Sequence, residues 1–168
     1  SYELNLEWKE EDLTRLAGEL KAALSQGGCA AWICNTVNKA QETYLALKDC
    51  LSDSGIEVIL FHARFPLIHR QEIENRVLSL FGRKRSSDLR AVVVATQVIE
   101  QSLDLDFDLM ISELAPVDLI LQRAGRLHRH DRSDRPSGLQ SRCLWLLKPE
   151  QKDERHLPSL GSTAYVYD

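Results

Sequence analysis

RAVVVATQVIEQSLDLDFDLMISELAPVDLILQRAGRLHRH, from Arg90 to His130, is the stretch on which the reading of the whole chain turns. Its first run, Ala91 to Ala95, is rich in β-branched residues and predicts a buried strand. A polar loop from Thr96 to Asp104 follows, then a second apolar run from Leu109 to Ser112. Val117, Ile120, Leu121 and Ala124 recur at i, i+3, i+4 and i+7, the spacing of a helix with one apolar face. If that helix continues through Arg126, then Gln122, Arg126 and Arg129 lie at i, i+4 and i+7 on the opposite side and reach one point. Planar, always-charged guanidinium groups gathered there are suited to stabilising a transferring phosphoryl group. The plainer alternative is a set of arginines favoured at a helix C-terminus and left in solvent.

Outward from this stretch, strand-like and helix-like segments alternate. Tyr2, Leu4 and Leu6 predict a short first strand, and Leu13, Leu16, Leu20, Ala23 and Leu24 a helix behind the acidic start Glu10, Glu11 and Asp12, ending at Gly27 and Gly28. Cys29 to Asn35 is a continuous apolar run, as expected of a strand covered on both faces. Thr36 or Asn38 caps a helix striped by Val37, Ala40, Tyr44, Leu47 and Leu51. Ile56 to Phe61 is a further strand, ending at HARFP, and Pro66 opens a helix whose buried face is Ile73, Val77, Leu80 and Phe81. Arg142 to Leu147 supplies the last strand. This order predicts an α/β, three-layer domain over residues 1–147 with a mostly parallel sheet flanked by helices, and a C-terminal extension or linker over 148–168. In such sheets ligands gather at the carboxyl ends of the strands, where Asn35 and Thr36, His62 and Arg64, and Thr96 to Asp104 fall.

At 168 residues, 43% hydrophobic and 27% charged, the chain reads as one ordinary globular domain. A net charge of -4 argues against nonspecific coating of nucleic acid, yet Arg123, Arg126, Arg129, Arg132 and Arg135 crowd together beside His128 and His130. Cys29, Cys34, Cys50 and Cys143 form no CxxC pair and read as reduced thiols rather than metal ligands. No apolar run approaches a membrane span and no secretory signal opens the chain, so a cytoplasmic setting is expected. It opens on Ser1 rather than Met and closes on STAYVYD, and is read as a piece of something longer. Trp8, Trp32 and Trp145 read as core, and the basic loop Arg83, Lys84 and Arg85 as solvated.

QRAGRLHR, Gln122 to Arg129, resembles the sixth motif of superfamily 2 helicases, and ATQVIEQSLDLDFD, Ala95 to Asp108, resembles their fifth. AWICNTVNKAQ is similar to the fourth motif and FHARFPLIHR to the nucleic-acid-contacting element after it, so the resemblance covers most of the chain. Within that superfamily it most resembles the helicase–nucleases of type I CRISPR systems. The resemblance implies the second of two RecA-like lobes, with ATP held between the lobes and single-stranded DNA crossing both. It makes Arg126 and Arg129 arginine fingers, turns Gln122 to the γ-phosphate or the attacking water, and lets Asp104 accept from the ribose hydroxyls. Thr96 and Gln97 would touch the tracked strand, as would Asn35, Thr36, His62 and Arg64, while Glu100 and Ser102 would couple that loop to nucleotide state. Ser102 stands where many relatives carry glycine.

Plainer readings stand beside these roles: Asp104 and Asp106 as turn residues, Thr96 as a strand end, His62 as a core histidine and Arg64 as a surface charge. No GxxxxGK[ST] loop and no DExH or DEAD sequence is present. ATP and Mg2+ are therefore expected to be bound mainly by a first lobe outside this chain, as is the nuclease-domain metal, and this chain alone is expected to be inactive. The implied partners are single-stranded DNA, the first lobe and nuclease domain of the same parent, and an RNA-guided surveillance complex. The alternatives are a lobe of another superfamily 2 DNA or RNA helicase, or a catalytically silent RecA-like interaction module.

Overall fold

A computed structural model describes residues 3–100 and 103–149. In chain order the elements are β1 (Leu4–Glu10), α1 (Leu13–Ala23), β2 (Gly28–Ile33), α2 (Val37–Cys50), β3 (Glu57–Phe61), α3 (Leu67–Phe81), β4 (Arg90–Ala95), a 3-10 turn (Gln97–Glu100), β5 (Leu109–Glu113), α4 (Val117–Ala124), a second 3-10 turn (Ser137–Leu139) and β6 (Arg142–Lys148). The strands form one six-stranded sheet in the order β1-β6-β5-β2-β4-β3, and every described pairing is parallel.

The period-two pleat explains why the central strands are apolar throughout. Cys29, Ala31 and Ile33 of β2, with Ala91, Val93 and Ala95 of β4, enter one core layer together with Val77, Leu80 and Phe81 of α3 and Ile120 of α4. Their neighbours Ala30 and Trp32, with Val92 and Val94, enter the opposite layer against Leu16 and Leu20 of α1 and Ala40 and Leu47 of α2. Local chemistry sets the helix starts. The Asp12 side chain accepts from the Arg15 N–H, that of Thr36 accepts from the Lys39 N–H, and Pro66 and Pro116 precede α3 and α4.

Four expectations are corrected. The α4 helix stops at Ala124, with Gly125 as its cap, so Arg126 and Arg129 lie beyond it rather than on its outer face. Its apolar stripe does not face inward as a whole. Ile120 is buried, but Val117 and Leu121 are 71% and 62% exposed, and Arg123 is fully buried. The Arg123 guanidinium reaches inward to donate to Ser112 Oγ at 2.9 Å and Asn35 Oδ1 at 3.3 Å, and that pairing turns the helix. Trp8 is 52% exposed because β1 is an edge strand. Arg85 is buried against Asp108 instead of solvated.

Candidate functional site

The parallel strands give the sheet a carboxyl edge and an amino edge, and the residues singled out above divide between them. At the carboxyl edge β3, β4, β2 and β5 lie side by side. His62 and Arg64 follow β3, and Thr96 and Gln97 follow β4, the two loops joined by the Thr96 N–H donating to the Phe61 carbonyl at 3.4 Å. Arg64 and Gln97 are exposed, while Thr96 is buried. His62 is buried and stacked on Phe65 with ring centroids 4.2 Å apart. Its Nδ1 accepts from the Arg64 N–H at 3.1 Å, and its Nε2 has no hydrogen-bond partner among the described residues. Burial, and then the charge of Arg64, lower its pKa below the ordinary imidazole value.

Asn35 turns inward. Its N–H donates to Glu113 Oε1 and its Nδ2 to the Leu114 carbonyl, both at 2.9 Å, so it ties the loop after β2 to the loop after β5. Burial raises the pKa of Glu113. Thr36 is exposed and caps α2.

The segment after β4 then leaves the carboxyl edge. Val98 and Ile99 of the 3-10 turn, with Leu105 and Phe107, pack on one face of the sheet, so the chain crosses that face and emerges at the amino edge. Glu100 closes the turn; its side chain and Ser102 lie outside the described residues. Asp104 is consequently not at the carboxyl end of a strand, as the loop pattern suggested, but at the opposite edge beside the turn that follows α4. There Arg129 Nε lies 3.1 Å and His130 Nε2 2.8 Å from Asp104 Oδ1, and Arg126 Nη1 donates to the Leu103 carbonyl at 3.2 Å. The hydrogen bond from His130 holds the Asp104 carboxyl below its ordinary pKa, so it acts as an acceptor. Gln122 is exposed on the last turn of α4. The structure therefore brings Asp104, Arg126 and Arg129 together.

Beneath them lies an ionic network that the sequence reading missed. Asp106, read as a turn residue, is fully buried, as is Asp108. Arg135 Nη1 donates to Asp108 Oδ1 at 2.7 Å and its Nη2 to Asp106 Oδ1 at 3.0 Å, while Arg85 Nη2 donates to Asp108 Oδ1 at 3.0 Å. Asp108 Oδ2 accepts the Cys29 N–H at 2.8 Å. That approach needs Gly28, whose φ is +106° and where a Cβ would stand 3.0 Å from the same carboxylate oxygen. The available signal was Leu105 and Phe107 alternating with Asp104, Asp106 and Asp108, a strand-like pattern that sends one set into the core and the other to the arginines.

His128 sits against this network with φ +47°, and its Nε2 lies 3.0 Å from the Asp108 carbonyl. Burial, and then the charge of Arg135, lower its pKa. A histidine depressed in the fold contributes stability that is complete above its unfolded value, about 6.5, and is lost as pH falls through the lower folded value. The urea midpoint of the wild-type chain is expected to fall between pH 8 and pH 5, and that of His128→Asn to fall less steeply. Parallel pH profiles for the two would remove His128 from the explanation.

An all-parallel sheet covered on both faces, with Arg126 and Arg129 beyond the helix after β5 and Asp104 before β5 meeting them, is the architecture of a RecA-like domain. Residues 26–132 match the family described as CRISPR-associated nuclease/helicase Cas3, C-terminal, and the chain belongs to that family. The CRISPR-associated endonuclease/helicase Cas3 of Escherichia coli (strain K12) is 46% identical over 139 residues, which take in 83% of this chain and 15% of that protein. The crystal structure of T. fusca Cas3-AMPPNP superposes with a TM-score of 0.86 at 39% identity, covering 99% of this chain and 20% of that one. A chain of a CRISPR RNA-guided surveillance complex, pre-nicking, matches with a TM-score of 0.77 at 38% identity, covering 99% of this chain and 21% of that one. The chain thus spans about a fifth or less of these proteins.

Proposed function

We propose that this domain is the second motor lobe of an ATP-dependent helicase that translocates on single-stranded DNA, within a CRISPR interference helicase–nuclease that unwinds and degrades target DNA. The observation that carries the reading is the meeting of Asp104, Arg126 and Arg129 at the amino edge, Asp104 lying on the same β4–β5 connection that carries the exposed Gln97 at the carboxyl edge. Membership of the Cas3 family supports it, as do relatives solved with a nucleotide analogue and within a surveillance complex.

The residues present suit a nucleotide. The side chains of Asp104 and Arg129 are 52% and 41% exposed, and one ionised carboxylate among two guanidinium groups complements hydroxyls and phosphates together. ATP and Mg2+ would be held mainly by the first lobe, and ATP supplies the phosphoanhydride whose cleavage drives the motor. In this chain Asp104 accepts from the ribose hydroxyls, Arg126 and Arg129 face the γ-phosphate, and Gln122 faces the phosphate or the attacking water. An exposed ion pair is worth about 0–1 kcal/mol, so Arg129 can exchange Asp104 for phosphate at small cost. At the other edge the exposed Arg64, Gln97 and Thr36 line the strand track, while the buried His62 and Thr96 serve it by fixing the loops that carry Arg64 and Gln97. Asn35 serves the track by fixing its loop. Glu100 and Ser102 couple the two edges. The partners are the first lobe and nuclease domain of the parent and an RNA-guided surveillance complex in the cytoplasm. Among the described residues no helix is long and apolar enough to cross a membrane.

The test is made in protein carrying both lobes. Arg64→Ala combined with Gln97→Ala is expected to raise the single-stranded DNA concentration that half-saturates ATP turnover about tenfold, and to lower the salt slope of DNA binding by about one. Turnover at saturating DNA should stay within about twofold of the wild type. Unchanged half-saturation and salt slope would place the track elsewhere.

A further inference from the structure

We propose that Asp106, clamped by Arg135, is a positioning residue for Arg129, setting the backbone from which that guanidinium reaches the nucleotide; this rests on the finger reading of Arg129 given above. Asp104 and Asp106 are two apart on an extended segment, so their carboxylates leave it on the same side. They take hold of one residue at two points: Asp104 Oδ1 lies 3.1 Å from Arg129 Nε, and Asp106 Oδ1 accepts the Arg129 N–H at 2.8 Å. The first contact is exposed and exchangeable. The second is made by a fully buried carboxylate that no ligand can reach.

The turn around Arg129 is held on both sides as well. His128 adopts a left-handed conformation that non-glycine residues rarely hold unless neighbours over-determine it. Here its N–H donates to the Phe107 carbonyl at 2.8 Å, its Nε2 meets the Asp108 carbonyl at 3.0 Å, and its own carbonyl accepts from Arg142 Nη2 at 3.2 Å. On the far side the His130 carbonyl accepts from Arg135 Nη2 at 2.6 Å, the same nitrogen that lies 3.0 and 3.1 Å from the two oxygens of Asp106. Asp106 and Arg135 thus fix Arg129 and His130, while Phe107, Asp108 and Arg142 fix His128 beside them. An arginine side chain has several rotatable bonds, and a misplacement of about 1 Å at a reacting group costs on the order of 100-fold in rate, so a rigid mount for its backbone has kinetic value. Arg85, joined to Asp108 and to the Asp106 carbonyl, braces the mount from below.

A double-mutant cycle on DNA-stimulated ATP turnover, in protein carrying both lobes, tests this. Asp106→Ala is expected to lower kcat at least tenfold while the KM for ATP stays within about threefold, and Asp106→Asn, which keeps an oxygen acceptor for the Arg129 N–H, to recover part of that loss. In an Arg129→Ala background Asp106→Ala should remove little more of the residual turnover, because its effect passes through Arg129. Wild-type kcat in both Asp106 variants would overturn the inference, as would losses that multiply fully with that of Arg129→Ala. Should Asp106→Ala fail to fold, the same cycle run with Asp106→Asn decides between those outcomes. If Arg129→Ala itself turns over ATP at the wild-type rate, the finger reading falls and takes this inference with it. Loss in Arg129→Ala with none in the Asp106 variants defeats the inference alone.

Discussion

Arg126→Ala is expected to lower DNA-stimulated ATP turnover about a thousandfold or more, with single-stranded DNA affinity within about twofold of the wild type. The magnitude follows from what an arginine finger does: negative charge spreads over the phosphoryl oxygens in the transition state, and a correctly placed guanidinium is worth about 10³–10⁵ in rate. The separation of effects follows from the fold, because Arg126 lies at the amino edge and the proposed DNA track at the carboxyl edge. Arg126 also donates to the Leu103 carbonyl and so steadies the segment that carries Asp104. Arg126→Lys keeps a charge without the planar fork, and is expected to recover only a small part of the lost rate. Steady-state ATPase with and without saturating DNA, beside a binding titration, checks this. Unaltered turnover in Arg126→Ala would defeat the finger assignment and favour the silent interaction module.

The second large effect concerns stability. Asp108 is fully buried and accepts from Arg85, Arg135 and the Cys29 N–H. Removing one partner of a buried pair costs about 3–5 kcal/mol, because the remaining charge has lost both water and counter-charge. Asp108→Ala leaves Arg135 with the Asp106 carboxylate and Arg85 with the Asp106 carbonyl, and orphans the Cys29 N–H. Urea unfolding of the chain is expected to show a loss in that range, with a thermal midpoint lower by on the order of 10 °C for a domain of this size. A loss below about 1 kcal/mol would mean that Arg85 and Arg135 are hydrated or re-paired, and that the network contributes little to stability.

Asp108 also shows why one part of the site was legible in the sequence and another was not. QRAGRLHR and the loop before β5 could be read because they combine residue types with spacing: the arginines, the glutamine and the acidic residue keep their order along the chain. The network under them joins Arg85, Asp106, Asp108 and Arg135, from loops before β4, before β5 and after α4, and no local pattern announces that four charges will share one buried space. The basic triplet Arg83 to Arg85 has the composition of a solvated loop, yet Arg85 is drawn inside by the Asp108 carboxylate and the Asp106 carbonyl, both more than twenty positions away. The stripe on α4 misled for a related reason. Helical periodicity shows that Val117, Ile120, Leu121 and Ala124 share a face, but which face turns inward was settled by Arg123 pairing with Ser112 and Asn35.

Strand and helix order, the double-sided burial of β2 and β4 and the caps at Asp12 and Thr36 were written in short-range chemistry: pleat period, helix period and side-chain oxygens that satisfy free N–H groups. Tertiary structure decided the two-edged arrangement. The loop pattern placed Asp104 with Thr96 and Gln97 at the carboxyl ends of strands, but Val98, Ile99, Leu105 and Phe107 bury themselves along the sheet and carry Asp104 to the far edge, where the turn after α4 brings Arg126 and Arg129. Sequence spacing tells which residues follow one another. Where a connecting segment lies depends on which surface its apolar residues can cover, and that surface exists only once the sheet has formed.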